Sequence, residues 1–135
     1  MELIIESIQR AIDQVFPDFP NVVAIYLFGS VARGTPRADS DLDLALVTTE
    51  PLSPKQKLDM YAALTKYGLD RIDLVVLDGT DIVVRFEAVT ANRLLYAREG
   101  FDHGTFFSRA IREYLDFEPT LVTQRAALKQ RLLGA

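Results

Sequence analysis

Leu27-Phe28-Gly29-Ser30-Val31-Ala32-Arg33-Gly34, followed after a short loop by Ser40-Asp41-Leu42-Asp43-Leu44, is the stretch on which the reading of this chain turns. Before it, Val22-Val23-Ala24-Ile25-Tyr26-Leu27-Phe28 is an unbroken apolar run of strand length, and it stops at Gly29. After it, Leu42 to Val47 reads as a second strand. Successive side chains of a strand point to opposite faces, so Leu42, Leu44 and Leu46 share one face, and Asp41 and Asp43 share the other. The apolar set is the buried one. The two carboxylates then stand roughly 6.5 Å apart along the strand, a spacing that suits a shared cation. Between the strands, Gly34 to Ser40, with Pro36, is loop.

Working outward, Arg71 to Leu77 repeats the pattern. Ile72, Leu74 and Val76 take one face and leave Asp73 on the other. An aspartate among branched apolar residues is costly to bury without a partner. If this strand lies beside the second, Asp73 joins Asp41 and Asp43 around one or two hard cations, which prefer oxygen ligands. Asp70 and Asp78 are rival third carboxylates at the strand ends, where solvated charge is the simpler reading. Gly29-Ser30, where a strand ends and a short helix begins, offers backbone amides and a hydroxyl to an anion. Arg33 points either toward the same phosphates or to Asp39 or Asp41. An anion cradle facing a cation cage fits a nucleoside triphosphate with magnesium.

The remaining elements follow from periodicity and caps. Residues 2–16 carry Leu3, Ile4, Ile8, Ala11, Ile12 and Val15 at helical spacing, closed by Pro17. Ser53-Pro54 opens a helix that runs to Tyr67 and stops at Gly68. Thr80 or Asp81 caps a short helix over 81–90, and Arg93 to Tyr96 is a further strand or turn. From about Thr105 to Leu133 the pattern is helical, with a break or kink expected at Pro119. The predicted fold class is α/β (α+β): a small mixed sheet flanked by helices. Residues 1–100 form the core, and a C-terminal helical segment, 101–135, packs on the same single domain.

Composition bounds the chemistry. The chain has 135 residues, of which 49% are hydrophobic and 25% charged, the balance of a globular domain. With no cysteine and one histidine, His103, a thiolate or multi-histidine zinc site is excluded. His103 itself reads as a surface or helix-start residue. No apolar run approaches a membrane span and the N-terminus lacks a signal-peptide pattern, so the expected location is cytoplasmic. A net charge of −4 argues against a stable nucleic-acid coat. Asp39, Asp41, Asp43 and Glu50 mimic an EF-hand calcium loop, but the position that needs glycine is Leu44, within an apolar strand. No Gly-x-Ser-x-Gly elbow and no Gly-Lys-Ser/Thr exists, which removes serine-hydrolase and P-loop readings.

Gly29-Ser30, Asp41-x-Asp43 and a later strand aspartate together resemble the DNA polymerase β-like nucleotidyltransferase superfamily. The form Gly-Ser-x-Ala-Arg-Gly…Ser-Asp-x-Asp-Leu in a short chain is similar to its minimal nucleotidyltransferase (MNT) branch, with motif support over roughly residues 20–80. The resemblance implies that Asp41 and Asp43 bind the metals that hold the triphosphate. It implies that Asp73 completes the second metal site and accepts the proton of the attacking hydroxyl. It also implies ATP as substrate and, as partner, a HEPN-type RNase toxin that receives AMP on a tyrosine. A binding antitoxin that acts by contact, and an aminoglycoside-type small-molecule nucleotidyltransferase, are the alternatives. Phe106, Phe107, Ile111, Tyr114, Leu115 and Phe117 read as core. Leu121, Val122, Leu128, Leu132 and Leu133, with Arg125, Lys129 and Arg131, form an amphipathic tail open to a partner.

Overall fold

In a computed structural model, residues 2–29, 42–77, 82–91 and 93–133 are described. The chain divides into two compact units, Met1–Phe101 and Asp102–Ala135. In the first, helix α1 (Glu2–Val15) passes through a 3₁₀ turn (Phe16–Asp18) to strand β1 (Val22–Phe28). Strand β2 (Leu42–Thr48), helix α2 (Pro54–Lys66), strand β3 (Ile72–Val76), helix α3 (Ile82–Thr90) and strand β4 (Leu94–Ala97) follow. The four strands form one sheet in the order β3-β2-β1-β4. β1 runs antiparallel to both β2 and β4, while β2 and β3 are parallel, joined by the α2 crossover. The sheet is therefore mixed, as the sequence predicts.

Each face of the sheet is covered. Ile25, Leu27, Leu44, Leu46 and Leu74 form one side of the core, against Ile8, Ala11, Ile12 and Val15 of α1 and Met60 and Leu64 of α2. On the opposite face Ala24, Tyr26 and Ala45 are also buried, and α3, which lies against β1, buries Ala88 and Val89. A strand covered on both faces reads as a continuous apolar run rather than an alternating one, which is what Val22 to Phe28 shows. At the β4 edge the Gln9 amide donates to the Leu95 carbonyl at 2.6 Å.

α2 is bounded as its sequence dictates. Ser53 accepts from the Gln56 N–H at 3.1 Å, and its own N–H donates to the Gln56 side chain at 3.1 Å, a reciprocal capping box with Pro54 in the first turn. Gly68, at φ +87°, ends it with its N–H on the Thr65 carbonyl.

The second unit is one helix, α4 (His103–Leu132), capped by Asp102. Here the structure differs from expectation: the helix runs through Pro119 without a break. Proline withdraws one N–H from the ladder and crowds the turn before it, but helix on both sides carries the chain across. His103 is the first residue of α4 with its ring 5.8 Å from that of Phe107, a helix-start position as predicted. Among the described residues no helix is long and apolar enough to cross a membrane.

Candidate active site

The register of the sheet builds the site. Phe28 of β1 pairs with Asp43 of β2, and Asp43 pairs with Asp73 of β3. Register partners on neighbouring strands share a face, and strands lie about 4.8 Å apart, so Asp43 and Asp73 stand side by side. The rows behind them are apolar. Tyr26, Ala45 and Val75 come next on the same face, while Leu27, Leu44 and Leu74 occupy the other. The carboxylates thus sit at the end of β1 and the beginning of β2 and β3, where the sheet opens. Tyr26, buried directly behind them, has its phenol pushed up to about 12 by burial.

Asp43 is half-buried on a central strand, whereas Asp73 is exposed on the edge. The burial cost that the sequence reading assigned to Asp73 is therefore absent, because the edge strand leaves that face open to solvent. What marks Asp73 is its register with Asp43.

Gly29 ends β1 at φ +78°. Only glycine takes this left-handed conformation without strain. A Cβ built there would overlap the Asp43 carboxylate oxygen Oδ2. Position 29 is thus doubly restricted to glycine, and the restriction brings backbone against a carboxylate. Two like charges in neighbouring register positions repel unless a cation or proton lies between them. Side by side, the Asp43 and Asp73 carboxylates supply the oxygen donors that a hard divalent cation prefers.

Asp41, Ser30 and Arg33 lie outside the described residues, as do the rivals Asp39 and Asp78. Among the described residues no group of three metal-capable side chains assembles. Asp70 is exposed beyond the start of β3. Arg71 was missed in the sequence: alternation places it on the face of Asp73, and its carbonyl accepts the Leu42 N–H at 2.9 Å. Extending the alternation one step back from Asp73 finds it. Tyr61, whose hydroxyl meets the backbone of β3 at Leu74, carries no local signal at all.

Comparison with known proteins adds to the geometry. The family model described as polymerase beta, nucleotidyltransferase, matches residues 10–100. Protein adenylyltransferase MntA of Shewanella oneidensis is 28% identical over 85 residues, a match covering 63% of this chain and 61% of that protein, short of two thirds of the relative's length. Among solved structures, a chain in a crystal structure of a toxin–antitoxin with AMP-PNP superposes with a TM-score of 0.69 at 25% identity, covering 93% of this chain and 98% of that one. A chain in a mutant of the MntA–HpeT toxin–antitoxin superposes with a TM-score of 0.68 at 27% identity, covering 92% and 96%.

Proposed function

Since the chain belongs to the polymerase beta nucleotidyltransferase family, we propose that it is a magnesium-dependent nucleotidyltransferase that moves AMP from ATP to a tyrosine hydroxyl of a HEPN-type RNase toxin, and so serves as that toxin's antitoxin. The observation that carries this reading is the pairing of Asp43 with Asp73 beside Gly29. The adenylyltransferase relative supports the reaction, and the toxin–antitoxin structure with AMP-PNP, an ATP analogue, supports the nucleotide and the kind of partner. The proposed site of the reaction is the cytoplasm.

Asp41 and Asp43 would hold the cation, and Asp73 would complete the set. Magnesium, when bound, supplies charge neutralisation for the triphosphate and the leaving pyrophosphate. Gly29 lets the Asp43 carboxylate lie against the backbone at the end of β1, and Ser30 and Arg33 would take phosphate oxygens. Asp73, exposed on the outer strand, faces the acceptor and takes the proton of its hydroxyl. The tyrosine oxygen forms a bond to the α-phosphorus as the bond from that phosphorus to the bridging oxygen breaks, and pyrophosphate leaves with the electron pair. The protein's contribution is positioning and electrostatics, since phosphoryl chemistry asks for little else.

A second reading has its own observation. α4 exposes Leu115, Val122, Leu128 and Leu132, with Leu133 exposed at its C-cap, and such apolar exposure allows an antitoxin to neutralise its toxin by contact alone. One experiment separates the two. The protein is incubated with ATP, magnesium and the candidate toxin, and the intact mass of the toxin is measured. Addition of AMP, lost in Asp41→Asn/Asp43→Asn together with toxin neutralisation, is the expected result. Full neutralisation by the double variant would sink the catalytic reading.

A further inference from the structure

β3 is an edge strand, held by β2 on one side only. The Arg71 carbonyl accepts the Leu42 N–H at 2.9 Å, and the Leu77 N–H donates to the Leu46 carbonyl at 2.8 Å. Backbone groups of a strand alternate in direction, so Arg71, Asp73, Val75 and Leu77 turn theirs toward β2, and the Leu74 N–H faces away from the sheet. An edge N–H of this kind ordinarily meets water. In this protein it donates to the Tyr61 hydroxyl at 3.0 Å. Tyr61 stands on α2 with its ring half-buried against the core, so the oxygen arrives at the edge on a rigid support.

The N–H that Tyr61 holds belongs to the peptide linking Asp73 to Leu74. The orientation of that peptide sets the direction of the Asp73 Cα–Cβ bond, and a cation shared with Asp43 tolerates errors of only about half an ångström in its ligands. We infer that Tyr61 is a positioning residue: it clamps the Asp73–Leu74 peptide from outside the sheet and so holds the Asp73 carboxylate at its station beside Asp43. The inference rests on the proposed nucleotidyltransferase reading. It assigns to α2 a part in catalysis that the spacing of Asp43 and Asp73 in the sequence does not disclose. An edge strand that frays carries its carboxylate out of range, and a hydrogen bond on its free side opposes this.

The test compares wild type, Tyr61→Phe and, as control, Tyr67→Phe at an exposed tyrosine of the same helix's C-cap. Tyr61→Phe keeps the ring and removes the oxygen. Amide hydrogen exchange at Leu74 should rise about three- to tenfold, the range of one net hydrogen bond. Binding of Mn2+, followed by electron paramagnetic resonance on the protein without nucleotide, should weaken by a comparable factor. Catalytic turnover with ATP should fall and return at high Mg2+. Tyr67→Phe should leave all three readouts unchanged. Faster exchange at Leu74 with unaltered Mn2+ binding and metal dependence would make Tyr61 a plain edge cap and overturn the inference alone. A wild-type protein that binds no Mn2+ either alone or with a non-hydrolysable ATP analogue would overturn the nucleotidyltransferase reading and the inference with it.

Discussion

Gly29 and Gly68 both sit at positive φ, but only one of them has a neighbour where a side chain would go. At Gly29 the Asp43 carboxylate occupies the space of a Cβ; at Gly68 nothing lies within 4 Å. Alanine at either position should cost about 1–3 kcal/mol in backbone strain. Gly29→Ala should exceed Gly68→Ala, because it also pushes aside a carboxylate. Urea unfolding of the two variants measures the difference, and Mn2+ titration locates it: Gly68→Ala should bind as wild type, Gly29→Ala should not. Equal losses of stability with intact binding in both would show that Asp43 is not displaced. The glycine was readable in the sequence as the end of a strand, yet its contact with Asp43 was not, since the two residues meet only through the β1–β2 register.

What local rules determine, the sequence disclosed well. β1 and β2 followed from apolar runs, and α2 followed from its caps almost to the residue. What depends on pairing was less accessible. β4 was undecided between strand and turn because its few residues gain strand form from β1, not from their own pattern. Asp73 was rightly placed on the face of Asp43, but its exposure depends on β3 being an edge, which strand alternation cannot tell. The helix does not break at Pro119 because one lost hydrogen bond is a smaller matter within a long helix than at the end of a short one. The α2 cap offers a direct measurement. Ser53→Ala removes the side-chain arm of the capping box, leaving the backbone N–H of position 53 on Gln56, and should destabilise the fold by about 1 kcal/mol in thermal or urea unfolding, with Ser53→Asp retaining most of the stability. An unchanged midpoint in Ser53→Ala would mean that packing of Met60 and Leu64 alone sets the helix.

Taken as a whole, the first unit has a sheet whose central strands are buried on both faces, and its alkaline limit should follow from that. Tyr26 is fully buried, and burial raises its phenol from 10.0 to about 12. Its neutral form is favoured in the fold, so the unfolded chain ionises first as pH rises. Stability is therefore complete below pH 10 and declines as pH climbs toward 12, by at most about 1.4 kcal/mol per pH unit. Tyr26→Phe should flatten this limb, as read by urea unfolding at a series of alkaline pH values; an identical decline in the variant would assign it to other groups. At the acid end of the second unit, hydrogen bonds from the Thr105 hydroxyl and N–H lower the Asp102 carboxyl, so its cap is fully present above its unfolded value and fades as pH falls through the lowered one.

The two rims of the sheet carry a consequence for association. Gln9 occupies a carbonyl on the β4 rim and Tyr61 an N–H on the β3 rim. A foreign strand seeking to extend the sheet must first evict one of them, and each is anchored on a helix of the core. Such plugging is how β proteins discourage fibril-like growth. At these two points, main-chain pairing by an outside strand would cost an existing hydrogen bond.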